Sequence, residues 1–148
     1  MKPSYHVVVS AGISLGWLYF LKSWPSALIC FLSGILIDID HYYDYYVARK
    51  KIPWRYREMW DFARYDASGK IYLLFHSYEL IIPLWGLIYF LNLGIVWAGF
   101  MWGITTHVMC DQMFNPLKPF GYFFFYRKYH GFERKNLFRK ECYEQWYG

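Results

Sequence analysis

Four polar groupings interrupt a largely apolar chain: His6; Asp38, Asp40 and His41; His76 with Glu79; and His107 with Asp111. They include four of the five histidines. Imidazole nitrogens and carboxylate oxygens are the donors that Zn²⁺, Mn²⁺ and Fe²⁺ accept. Ionisable groups in apolar surroundings need a partner or a metal, so groupings of this kind predict a metal centre. Spacing sorts them. His107 and Asp111 are i,i+4 and meet on one helix face, with Gly103 one turn earlier to allow close packing. Asp38 and His41 are i,i+3 and align with Gly34, and His76 and Glu79 are also i,i+3. Asp40 points away from Asp38 and His41 on a regular helix. It joins them only if the helix breaks, or if it serves a second ion or orients a ligand.

Each grouping has an ordinary reading when taken singly. A histidine at a helix end is most often an interfacial side chain, Asp-Ile-Asp-His is often a helix end, and His107 with Asp111 can be an internal hydrogen bond. Glu79 can pair with an arginine. The metal reading gains its force from the set. Together the groupings could hold two or three divalent ions, with Zn²⁺ preferred and Mn²⁺ or Fe²⁺ as alternatives.

The elements that must position these residues follow from hydropathy. Residues 5–21 form a first apolar run, about 25 Å long as a helix. Lys22 to Pro25 make a turn. A second run continues through 26–41, a third covers 71–91 with Pro83 inside it, and a fourth covers 95–114. Proline removes a helical hydrogen bond, so the third helix should kink. His6, Ser10 and Ser14 form a polar stripe expected to face the bundle interior. Between the second and third runs, residues 49–70 read as an amphipathic helix on the membrane surface, opened by Pro53 and closed by Ala67-Ser68-Gly69. Residues 117–148 are aromatic, then basic, and read as an interfacial tail. The fold class expected is all-α: one domain, an integral membrane four-helix bundle with an interfacial helix and tail. An up-down-up-down path places all four groupings at one depth.

Composition agrees. The chain is 57% hydrophobic and 25% aromatic, and its mean hydropathy of +0.08 averages apolar runs with basic, aromatic segments rich in interface-seeking Tyr and Trp. Of its 16 Lys and Arg, only Lys22 falls on the side opposite the termini. That asymmetry predicts a multi-pass protein of the inner (plasma) membrane with both termini cytoplasmic, its basic face drawn to anionic lipid headgroups. No nucleic-acid partner is expected, and self-association is left open. Three cysteines without CxxC spacing exclude a disulfide framework or zinc ribbon, and Cys30 and Cys110 read as small core residues.

The ordered pattern of an early histidine (His6), G-x3-D-x-D-H (Gly34, Asp38, Asp40, His41), H-S (His76, Ser77) and H-x3-D (His107, Asp111) resembles the membrane-bound metal-dependent hydrolases of the YdjM type. These are related in pattern to zinc-dependent phospholipase C and P1 nuclease. The resemblance covers roughly residues 6 to 111; Ile37 stands where that family has proline, and Phe75-His76-Ser77 replaces a longer H-R-G-x-T-H-S stretch. It implies a metal set of His6, Asp38, Asp40, His41, His76, Glu79, His107 and Asp111. It also implies hydrolysis of a phosphoester in a phospholipid or lipid-linked substrate by metal-activated water, with Asp38 or Asp40 bridging ions and orienting the water. Arg55, Arg57 and Arg64 are the residues placed to bind a phosphate. The alternative is a non-catalytic membrane metal-binding protein, a sensor or transporter. Transport is disfavoured because the far half of the bundle is apolar. A purely structural membrane protein, its polar groups bonded to one another, is the third reading. An intramembrane zinc protease is set aside because H-E-x-x-H is absent.

Overall fold

The structure, a computed structural model, describes residues 3–65 and 69–147. Among these residues the chain is all-helical, with only two isolated bridges, Lys70 with Glu133 and Leu117 with Phe138. The helices are α1 (Pro3–Leu21), α2 (Trp24–Leu36), α3 (Asp40–Arg49), α4 (Tyr56–Tyr65), α5 (Tyr78–Phe90), α6 (Ile95–Phe114), α7 (Phe124–Tyr129), α8 (Arg134–Leu137) and α9 (Lys140–Tyr147). A 3-10 turn, Ile37–Ile39, joins α2 to α3. The chain forms two compact units, Met1–Ile37 with Tyr78–Asn115 and Asp38–Ser77 with Pro116–Gly148.

The first unit holds α1, α2, α5 and α6. Helix α2 packs against both α1 and α6, and α5 packs on α6. Small residues make the closest approach. A Cβ at Gly103 would collide with the Cys30 carbonyl and the Ser33 hydroxyl, and one at Gly34 would lie 2.8 Å from Ser10 Oγ. Serines lock the helices together: Trp17 Nε1 donates to Ser26 Oγ at 2.7 Å, Ser26 Oγ to Ile95 O at 2.7 Å and Ser33 Oγ to Phe100 O at 2.8 Å. The buried residues include Ser10, Ser14, Ser26 and Ser33, whereas Val8, Leu15, Phe20, Leu28, Leu36, Ile82 and Phe90 face outward. Ala27, Cys30, Ile81, Met101 and Val108 are buried as well, so the interior mixes small polar and apolar side chains.

Two helices are long and apolar enough to cross a membrane, Ser4–Leu21 and the continuous Trp24–Arg49. The third expected run is shorter than 71–91: α5 has 13 residues, with Pro83 inside, and residues 71–77 are not helical. Thirteen residues reach about 20 Å, less than the hydrocarbon thickness of about 30 Å.

The second unit holds α3, α4 and α7 to α9. The helix expected over 49–70 is α4, and protein covers at least part of its apolar face: Met59 and Phe62 are buried, and Phe62 meets Tyr45 edge-on at 5.1 Å. Ala67 and Ser68, expected to close it, lie outside the described residues. The tail is more than an interfacial skirt. It buries Tyr122, Arg127, Arg134, Leu137 and Phe138, and its backbone holds the chain before α5 through Ile71 N–H to Phe132 O and Arg134 N–H to Gly69 O. Two of the arginines counted toward the basic face, Arg127 and Arg134, are therefore interior.

Candidate metal centre

In the second unit, the 3-10 turn decides the geometry. Tightening the chain at Ile37–Ile39 rotates the residues that follow, so Asp38 and Asp40 both reach His76. Asp38 Oδ1 lies 3.6 Å from His41 Nε2 and 3.6 Å from His76 Nε2. Asp40 Oδ2 lies 2.9 Å from His76 Nδ1 and accepts the Phe75 N–H at 3.0 Å. A carboxylate oxygen accepts, so Nδ1 carries a proton and Nε2 is turned toward Asp38. Ligating histidines are ordinarily oriented in this way by a carboxylate behind the ring.

Asp40, His41 and His76 each offer a donor atom, all within 4.8 Å of one another, and could hold a metal ion. Asp40 and His76 are buried and His41 is half-buried. Asp40 Oδ1 is buried and accepts no hydrogen bond among the described residues. A buried carboxylate oxygen in that state is costly unless a cation meets it, so the donor set fits a divalent ion.

The segment carrying His76 is held by side chains. Asp44, buried on α3, accepts Tyr72 N–H at 2.9 Å and Leu73 N–H at 3.3 Å. This corrects the i,i+3 reading of His76 with Glu79: His76 precedes the first turn of α5 and so shares no helix face with Glu79. Asp44 and Asp40 take the N–H groups that a longer helix would have needed. Glu79, half-buried in the first turn of α5, belongs to neither set of donors described here.

In the first unit, His6, His107 and Asp111 converge. Asp111 Oδ1 is 3.2 Å from His6 Nε2, and its Oδ2 is 3.6 Å from His107 Nε2. The two imidazoles stack, with ring centres 4.2 Å apart and planes 14° from parallel. His107 Nδ1 donates to the Gly34 carbonyl at 2.6 Å, which again leaves Nε2 facing the carboxylate. All three residues are buried, as are Ser10 and Ser14, so the polar stripe on α1 does face inward.

The arginines expected to bind phosphate lie just before α4 and on it. Arg55 and Arg57 are exposed, and Arg57 pairs with Asp61 at 3.7 Å; the Arg64 side chain lies outside the described residues. Residue spacing did not reveal Asp44 or Arg127. The only sequence signal for Asp44 is a third carboxylate within one helical turn of His41, and Arg127 sits in an ordinary Arg-Lys pair. No known protein family, curated protein or solved structure matches the chain.

Proposed function

We propose that the protein is a membrane-embedded, metal-dependent hydrolase that cleaves phosphoester bonds in a phospholipid or lipid-linked substrate at the cytoplasmic membrane interface. The observation that carries this reading is the pair of histidine–carboxylate sets, each with one imidazole held by a partner behind its ring. Asp40 sets His76, and the Gly34 carbonyl sets His107. The residues assigned to hold metal are Asp38, Asp40, His41 and His76 in one unit and His6, His107 and Asp111 in the other, with Zn²⁺ the preferred ion. When bound, such ions supply Lewis acidity that acidifies water and clamps phosphate oxygens.

The chain's own residues do the rest. Asp40 holds the His76 proton on Nδ1, and the stacked pair of His6 and His107 keeps one edge of Asp111 toward each ring. Asp38 or Asp40 is the carboxylate we assign to orient the attacking water and take its proton, and Asp38 is the more exposed of the two. Membrane embedding is supported by the outward-facing apolar side chains and small-residue contacts of the first unit. In this reading α1, the Trp24–Arg49 helix, α5 and α6 are the spans. Local bilayer thinning would accommodate the short α5. Both termini are cytoplasmic, as the charge asymmetry requires, and the pattern resembling the YdjM-type hydrolases agrees with the assignment.

The test is release of phosphate or headgroup by metal-loaded protein from a panel of phospholipids, lipid phosphates and nucleotides. The protein would be compared with a chelated sample and with a His107→Ala/Asp111→Ala variant. Release from a lipid, lost in both controls, is the expected result. A metal-loaded protein inert across the panel would contradict hydrolysis and favour a non-catalytic sensor.

A further inference from the structure

Arg127 on α7 has no exposed surface. Its Nη1 donates to the carbonyls of His76 at 3.1 Å and Gly121 at 2.7 Å. Its Nη2 donates to the Leu73 carbonyl at 2.8 Å and to Ser77 Oγ at 2.8 Å. Three of these acceptors belong to residues 73–77, the segment that presents His76. That segment is neither helix nor strand; apart from a turn bond from His76 N–H to the Leu73 carbonyl at 3.2 Å, its buried carbonyls at Leu73 and His76 are met by the Arg127 guanidinium. Leu73 has φ +45°, a left-handed conformation that a non-glycine residue holds only when its surroundings impose it. Here they act from both sides, with Asp44 on the Leu73 N–H and Arg127 on its carbonyl.

We propose that Arg127 is a positioning residue for His76: its guanidinium clamps Leu73–Ser77 so that the imidazole rests with Nδ1–H on Asp40 and Nε2 turned toward Asp38. The chemical purpose of this clamp rests on the metal reading above, but the tautomer it fixes exists without metal. The planar fork is the reason for arginine. Two NH₂ groups in one plane bridge four acceptors, whereas an ammonium offers three N–H bonds from a single point. Lysine at position 127 would keep the charge and lose the clamp.

The experiment compares wild type with Arg127→Lys in ¹⁵N-histidine-labelled, metal-free full chain in detergent micelles, followed by Co²⁺ titration. In wild type, His76 is expected as a single Nδ1–H tautomer. In Arg127→Lys it averages between tautomers, while His107, held by the Gly34 carbonyl, keeps its signature. Co²⁺ affinity falls about 10- to 100-fold, the usual effect of losing the support behind a ligating histidine. An unchanged His76 overturns the proposal. So does a parallel change at His107, which would make Arg127 a general support of the fold. If Arg127→Lys fails to fold, Ser77→Ala removes one of the four acceptors, together with the Ser77 Oγ bond to the Leu74 carbonyl at 3.0 Å: His76 must loosen in the same direction by less, and an unchanged ring refutes the clamp. Wild type that binds no Co²⁺ refutes the metal reading instead, and the tautomer comparison still decides the role of Arg127.

Discussion

The two units gather the same side chains by opposite means. In the first, His6, His107 and Asp111 ride on regular helices, and close packing through Gly34, Gly103 and the serines brings them together. In the second, Asp38, Asp40, His41 and His76 meet because regular structure is interrupted. A 3-10 turn shifts the register between α2 and α3, and a non-helical segment is pinned by Asp40, Asp44 and Arg127. Helical order positions ligands through backbone approach. Irregular backbone positions them through buried side chains, each of which must be satisfied.

Substitutions can break this contrast. The largest effect is expected at Gly103→Leu, where a side chain would force apart α2 and α6. Overpacking of this kind costs about 1–3 kcal/mol or more, measured as a loss of thermal stability in detergent. A variant as stable as wild type would refute the close-approach account of the first unit. Next is Asp40→Asn, which removes the charge behind His76. Metal affinity should fall about 10- to 100-fold in a Co²⁺ titration, with the melting temperature of the metal-free protein changed far less. Asp44→Asn is smaller still. One carboxylate oxygen can be kept as an acceptor, so the expected loss is about 1 kcal/mol, read with faster amide exchange at Tyr72 and Leu73. Smallest is Arg57→Ala. Its pair with Asp61 is exposed, and stability should change by less than about 0.5 kcal/mol. A larger drop would mean that α4 depends on that pair.

The contrast also explains what the sequence made legible. The pair His107/Asp111 obeys the periodicity of α6 and is observed at 3.6 Å; Asp38/His41 is also 3.6 Å apart at i,i+3, but runs from the 3-10 turn into α3. The inward stripe of His6, Ser10 and Ser14 follows the same periodicity. The wrong-face position of Asp40 leaves either a break in the helix or a separate role for Asp40, and the sequence does not foretell the 3-10 turn at Ile37–Ile39. The start of α5 was misjudged because residues 71–77 are as apolar as a helix interior, while distant side chains, Asp44 and Arg127, bind their backbone. Arg127 was illegible for the same reason: an Arg-Lys pair in a basic tail looks like surface until the fold buries one of its members.

The central claim is that these histidines and carboxylates hold a divalent metal. Elemental analysis of the full chain, purified without chelator, tests it most directly beside the double variants His107→Ala/Asp111→Ala and His41→Ala/His76→Ala. Wild type should carry stoichiometric transition metal, zinc foremost, and each variant should show a clear deficit. Wild-type protein free of transition metal, or variants that retain the full wild-type content, would contradict it.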